Sequence, residues 1–285
     1  MLYLLIVSFI WAFSFGLIKG NLTGLDPNFV AFIRLLISFL IFIPFLRIKI
    51  LSPSNKLKLI FTGIIQYGIM YSAYIFSYQY LKAYEIALFT IFTPLYVTFV
   101  NDLLEKQFHK LFFVSSLIAV GGTYIIMQNK LGNQNILLGF LLVQLSNICF
   151  AFGQVFYKKV MADVKGIKDR QIFALLFLGA VLFTGIASAA TTNFQQLTVT
   201  TSQVLVLIYL GIIASGLGFF LWNLGARKTN AGSLAIFNNL KIPLAIIVSL
   251  IFFGEEANIL RLSIGSIIIL FALFLNEKYI SPKIA

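Results

Sequence analysis

The chain has 285 residues, 60% hydrophobic and 11% charged, with a formal net charge of +12 and a mean hydropathy of +0.98. Soluble domains carry about 25% charged residues, so this composition excludes a water-exposed globular protein and points to membrane helices of roughly 20 residues rather than the short alternating strands of a barrel. One cysteine, Cys149, and one histidine, His109, exclude an internal disulfide and the usual zinc and haem constellations, and no cofactor is expected.

Ten apolar segments follow in chain order. The first, 2–18, is apolar almost from residue 1, has no basic leader or cleavage site, and reads as a span rather than a signal peptide. The second, 28–46, holds Arg34 about one and a half turns from its start; it is expected to pair with a helix end or Glu85 or to snorkel outward, with a direct contact to substrate as the alternative. After the break "LSPSN", the third segment, 57–80, places Tyr67, Tyr71, Tyr74 and Tyr78 on one face. Their rings can form an aromatic wall whose hydroxyls need partners; helix packing is the alternative, and Tyr78 also suits an aromatic belt. The fourth, 84–101, contains Pro94, and the fifth is 110–128.

The sixth segment, 136–157, aligns Gln144, Asn147, Ala151 and Gln154; three amides on one stripe are expensive against lipid and should face protein or water. The seventh, 171–190, ends in the polar stretch "ATTNFQQLTVTTSQ". The eighth, 203–224, carries a stripe of Gly211, Ser215, Gly218 and Trp222 suited to close helix packing. In the ninth, 232–253, Lys241 lies ~14 Å along the helix from Gly232 at 1.5 Å per residue. A lysine at that depth costs roughly 2.5–3.5 kcal/mol. Pro243 cannot donate to the carbonyl of Asn239, and Asn238 shares a face with Lys241. Lysine, amide and loosened carbonyl form a candidate anchor for a carboxylate or phosphate; a lysine satisfied by carbonyls is the structural alternative. The tenth segment is 259–276.

Basic residues sort the connections into two sides. Fifteen lie on one side: Arg47, Lys49, Lys56, Lys58, Lys106, Lys110, Lys158, Lys159, Lys165, Lys168, Arg170, Arg227, Lys228, Lys278 and Lys283. Lys19, Lys82, Lys130 and Arg261 lie on the other, so both termini are expected in the cytoplasm. This placement between apolar runs explains the positive charge without a nucleic-acid partner. Residues 1–130 and 136–278 form two five-span halves whose charge distributions are swapped. The connection after the second span has four basic residues and its counterpart after the seventh none; that after the first has one, its counterpart after the sixth five. An odd number of spans per half turns the second copy upside down, and such inverted repeats mark transporters that hold substrate near the midplane. Pro94 and Pro243 occupy matching places, each followed eleven or twelve residues later by an acid, Glu105 or Glu255, and are the candidate hinges.

"FIWAFSFGLIK", "DPNFVAFIRLLISFLIFIPFL", "YLKAYEIALFTIFTPLYV" and "GARKTNAGSLAIFNNLKIPLAIIVSLIFFGEE" occur in this order across almost the whole chain. Together they resemble the drug/metabolite transporter superfamily, specifically its EamA-type members. The resemblance implies an all-α membrane protein of ten transmembrane helices in two inverted repeats, its cavity lined mainly by helices one, three, four, six, eight and nine. It also implies a small-molecule substrate and places Trp11 and Ser14, which are family-like, beside Lys241, Asn238, Tyr67, Tyr71, Tyr74, Gln144, Asn147 and Gln154 as candidate substrate-binding residues.

All nine acids lie at span ends or in connections, so the buried carboxylate common in proton-driven carriers of cations is not visible. The expected activity is alternating-access transport of amino acids or other small carboxylate-bearing solutes, with larger phosphorylated or nucleotide-like metabolites as the alternative. An intramembrane enzyme needs a nucleophile with a base, or metal ligands, and none can be assembled. A channel needs charge rings or a carbonyl filter, and neither is present. The expected location is the bacterial cytoplasmic membrane; a monomer is compatible with the sequence. Import or export and the coupling ion are not encoded in any recognisable residue pattern.

Overall fold

The computed structural model describes residues 2–106, 134–164, 166–228, 231–254 and 258–279, with isolated positions between 114 and 125. Among them the chain is helical without a strand. Among the described residues, seven helices are long and apolar enough to cross a membrane: Leu2–Asn21 (α1), Pro27–Phe45 (α2), Pro53–Ser77 (α3), Ala83–Glu105 (α4), Asn135–Ala162 (α5), Phe173–Thr191 (α6) and Thr201–Arg227 (α7). Helices Ala231–Phe252 (α8) and Ile259–Tyr279 (α9) follow. The fifth expected segment, 110–128, lies for the most part outside the described residues.

Local chemistry sets the helix starts. Asp26 caps α2 by accepting from the Phe29 amide at 2.9 Å, and Pro27 fills the first turn, where a missing N–H costs nothing. Ser52 and Pro53 repeat the device at α3. Thr200 and Gln203 cap α7 reciprocally, Thr200 accepting at 3.3 Å and donating its own amide to Gln203 Oε1 at 2.9 Å.

Tertiary bonds identify the two ends of the bundle. At the end where α1 begins, the Arg47 amide donates to the Gln171 carbonyl at 2.9 Å. At the opposite end, Thr192 Oγ1 donates to Asp26 at 2.9 Å and Gln203 Nε2 to the Asn21 carbonyl at 3.1 Å. Helix α1 packs on α7 and α8, α2 on α6 and α7, α3 on α5 and α6, and α4 on α5 and α8. Gly63 and Gly179 bring α3 and α6 to backbone contact: a Cβ on Gly63 would collide with the Leu176 carbonyl, and one on Gly179 with that of Ile60. Outward faces expose Phe9, Phe13, Leu141, Leu145, Ile186 and Leu205, a surface suited to hydrocarbon.

Two helices depart from α geometry in the interior. Ile64–Ile69 of α3 and Leu210–Leu217 of α7 are π-helical, so their turns are widened and their carbonyls displaced from the ordinary ladder. In α4, a 3₁₀ turn over Thr90–Phe92 precedes Pro94.

Candidate central binding cavity

A cavity opens between α1, α2, α3, α4, α5 and α7, concave and mostly apolar with a few polar groups, as small-molecule sites are. Its walls are mostly apolar, supplied by Trp11, Phe15, Ile18, Met70, Phe150 and Phe219, with polar groups at Ser14, Arg34, Tyr71, Tyr74, Thr90, Thr93, Ser146 and Asn147.

Arg34 is the one cation in the described lining, which contains no acid. It is 1% exposed and points inward, correcting the expected pairing with Glu85 or outward snorkelling. Glu85 instead accepts from the Lys82 amide at 3.0 Å, closing the first turn of its own helix. Arg34 Nη2 donates to Tyr71 Oη at 2.8 Å and Ser215 Oγ at 3.1 Å, and Nε donates to Ser215 at 3.3 Å. The two hydroxyls bond each other at 3.0 Å, and the guanidinium carbon stands 4.7 Å from the Tyr71 ring centroid. The π segment of α7 delivers Ser215 to this group. Its displaced carbonyls are taken up nearby: Gly211 accepts from Ser38 Oγ and Ala214 from Trp11 Nε1, both at 2.9 Å.

Another wall is built on the break in α4. The Thr93 amide bonds the Thr90 carbonyl in the 3₁₀ turn, leaving the Phe89 carbonyl without its α-helical donor. Asn147 Nδ2 fills that place at 2.9 Å, with Gln144 Nε2 at 3.5 Å. Pro94 offers no N–H to Thr90, and Thr93 Oγ1 donates to that carbonyl at 2.7 Å. Two of the amides predicted from the sixth segment, Gln144 and Asn147, therefore bind a helix backbone, and Asn147 also lines the cavity.

Between the cavity and the end where α1 begins lies an aromatic floor, in which Trp11 stands 4.8 Å from Trp222, 5.4 Å from Phe219 and 5.9 Å from Phe150, between ring centroids. Beneath it, Gln154 accepts from Trp222 Nε1 at 3.1 Å, and Asn223 donates to Tyr67 Oη at 2.9 Å and pairs with Gln66. At that end of the bundle Arg227 meets both oxygens of Asp169 at 2.6 Å, and Tyr157 donates to Asp169 at 2.6 Å.

Of the residues expected to bind substrate, the cavity brings together Trp11, Ser14, Tyr71, Tyr74 and Asn147. Tyr67 and Gln154 are buried below it, Gln144 lies behind the α4–α5 contact, and Asn238 is buried in α8 outside the described lining. Lys241 and Pro243 belong to α8, but their side chains lie outside the described residues. Thr90, Thr93, Met70, Phe150 and Phe219 escaped the sequence reading because their residue types are ordinary in a membrane helix. Pro94, four residues beyond Thr90 and one beyond Thr93, was the available signal.

The family model described as "EamA-like transporter family" matches residues 1–128 and 137–277. The chain belongs to the EamA-like transporter family. As a family member it is a transporter rather than an enzyme, a multi-pass protein of the inner membrane with a small-molecule substrate. It is 36% identical over 287 residues to a biotin transporter of Salmonella typhimurium, covering 100% of this chain and 95% of that one. It is also 36% identical over 279 residues to a probable biotin transporter of Pseudomonas aeruginosa, covering 97% of each. A solved crystal structure 16% identical to the chain covers 96% of both and shares its fold, with a TM-score of 0.68. These relatives correct the expected cargo: amino acids and phosphorylated or nucleotide-like metabolites give way to a vitamin in the names they carry.

Proposed function

We propose that this EamA-family chain carries biotin across the inner membrane by alternating access, with the central cavity as its binding site. The observation that carries the reading is the 36% identity to biotin transporters along essentially the whole chain. The cavity supports it chemically. Biotin joins a carboxylate, through an apolar chain, to a ureido ring rich in hydrogen-bonding groups, and the lining offers a guanidinium, aromatic walls and neutral polar groups.

The working architecture is ten transmembrane helices in two inverted five-helix repeats, 1–130 and 136–278, acting as a monomer with both termini in the cytoplasm. Separate family matches to 1–128 and 137–277 support the repeats. So do the π segments, since α3 and α7 are the third spans of their respective halves. Lys241 is a second proposed cation for the same acid, because α8 packs on α1 and α4, both of which line the cavity. Purified protein in liposomes should take up radiolabelled biotin saturably, and internal unlabelled biotin should accelerate entry by counterflow. Uptake no faster than in protein-free liposomes would remove biotin as the cargo.

A further inference from the structure

We infer that Arg34, with Tyr71 and Ser215, is the group that recognises the substrate's carboxylate; the assignment rests on the carrier reading above but needs only an acid, not biotin in particular. Arg34 is 1% exposed, and its Nη1 is buried without a hydrogen-bond partner. Its partners are neutral hydroxyls, and among the described residues no carboxylate pairs with it. Taking a cation out of water without a counter-charge costs several kcal/mol, so the buried guanidinium favours an anion beside Nη1.

The proton count says the same. Arg34 donates to Tyr71 and Ser215, so neither hydroxyl passes its own proton back to it. The bond between the hydroxyls uses one of their two protons and leaves the other. Two N–H groups of Nη1 and one O–H therefore lack acceptors. A carboxylate only accepts, which makes it the complement of this cluster; an amide would bring surplus donors of its own.

The cluster also spans the two halves of the chain. Arg34 and Tyr71 come from α2 and α3, and Ser215 from the π segment of α7. An acid held by all three ties one half to the other, so occupancy and the relative position of the halves are linked.

The test measures affinities of biotin and biotinamide, and of hexanoate and hexanamide, for purified wild type, Arg34→Met, Arg34→Lys and Ser215→Ala. Wild type should prefer each acid to its amide. Arg34→Met should cut the preference, weakening the acids about 10- to 150-fold, the range for a hydrogen bond to a charged group, and leaving the amides unchanged. Arg34→Lys should restore part of the preference, since the charge remains without the planar fork. The ligand-free melting temperature of Arg34→Met should not fall. Equal weakening of acid and amide together with a lowered melting temperature would make Arg34 structural and overturn the assignment. A wild type that prefers neither acid to its amide would overturn it without any variant. Hexanoate discriminated through Arg34 while biotin fails to bind would remove biotin as the cargo and keep the assignment.

Discussion

Side-chain roles in this bundle follow from which polar atoms the neighbouring helices leave unsatisfied. Asn147 meets a carbonyl freed by the turn before Pro94, and Trp11 meets one freed by the π segment of α7; both side chains line the cavity while doing so. A single residue therefore shapes the wall and holds a helix break in place, and substituting it disturbs both. Lys241 is a cleaner probe at this scale. If it serves as a second cation for the substrate, Lys241→Met deletes the charge and keeps the apolar stem. Helix insertion should be at least as efficient, because a cost of about 2.5–3.5 kcal/mol has gone. Biotin binding should weaken by about 1.5–3 kcal/mol, or ~10- to 150-fold, while biotinamide is indifferent. Affinities at equal folded protein decide the matter; equal losses for both ligands would make the lysine structural.

Two of the helices that line the cavity, α4 and α7, are interrupted close to it. In α4 a 3₁₀ turn and Pro94 remove backbone bonds, and in α7 a π segment widens the turns that present Ser215. Such breaks lower the cost of bending locally. Pro94→Ala restores an N–H that can reach the Thr90 carbonyl, in competition with Thr93 Oγ1. If Pro94 and Pro243 are paired hinges, Pro→Ala at either should reduce transport turnover several-fold and leave biotin affinity within about 2-fold, because the conformational step limits the cycle. Transport rates and equilibrium binding on the same preparations separate these effects, and unchanged turnover in both variants would remove the hinge role.

Across the whole molecule, tertiary bonds group the connections as the charge count does. Residues around 47 and 171 meet at one end, those around 26 and 192 at the other, and the basic connections fall on the first. With that end in the cytoplasm, single cysteines at 53 and 163 in a Cys149→Ala background should resist an impermeant maleimide in intact cells, and one at 195 should react. The reverse pattern would invert the proposed topology. Cys149 is buried, so its replacement should leave the labelled surface unchanged.

Hydropathy alone determined the membrane environment and the positions of most helices, because burying apolar side chains in lipid requires no partner elsewhere in the chain. The helix starts at Asp26, Ser52 and Thr200 were likewise local, each depending on a side chain within three residues of the amide it caps. The cavity was legible only in fragments. Tyr71, Tyr74, Asn147, Trp11 and Ser14 stood out by type, spacing or resemblance, but the same criteria also selected Tyr67 and Gln154, which are buried below it. Periodicity says which residues share a helix face and does not say which helix that face meets. Arg34 shows the difference most sharply. In sequence it was an arginine near the start of a span, compatible with Glu85, a helix end or the membrane surface. Only the packing of α2 against α3 and the π segment of α7 directed it inward, because its hydroxyl partners are 37 and 181 residues away in the chain.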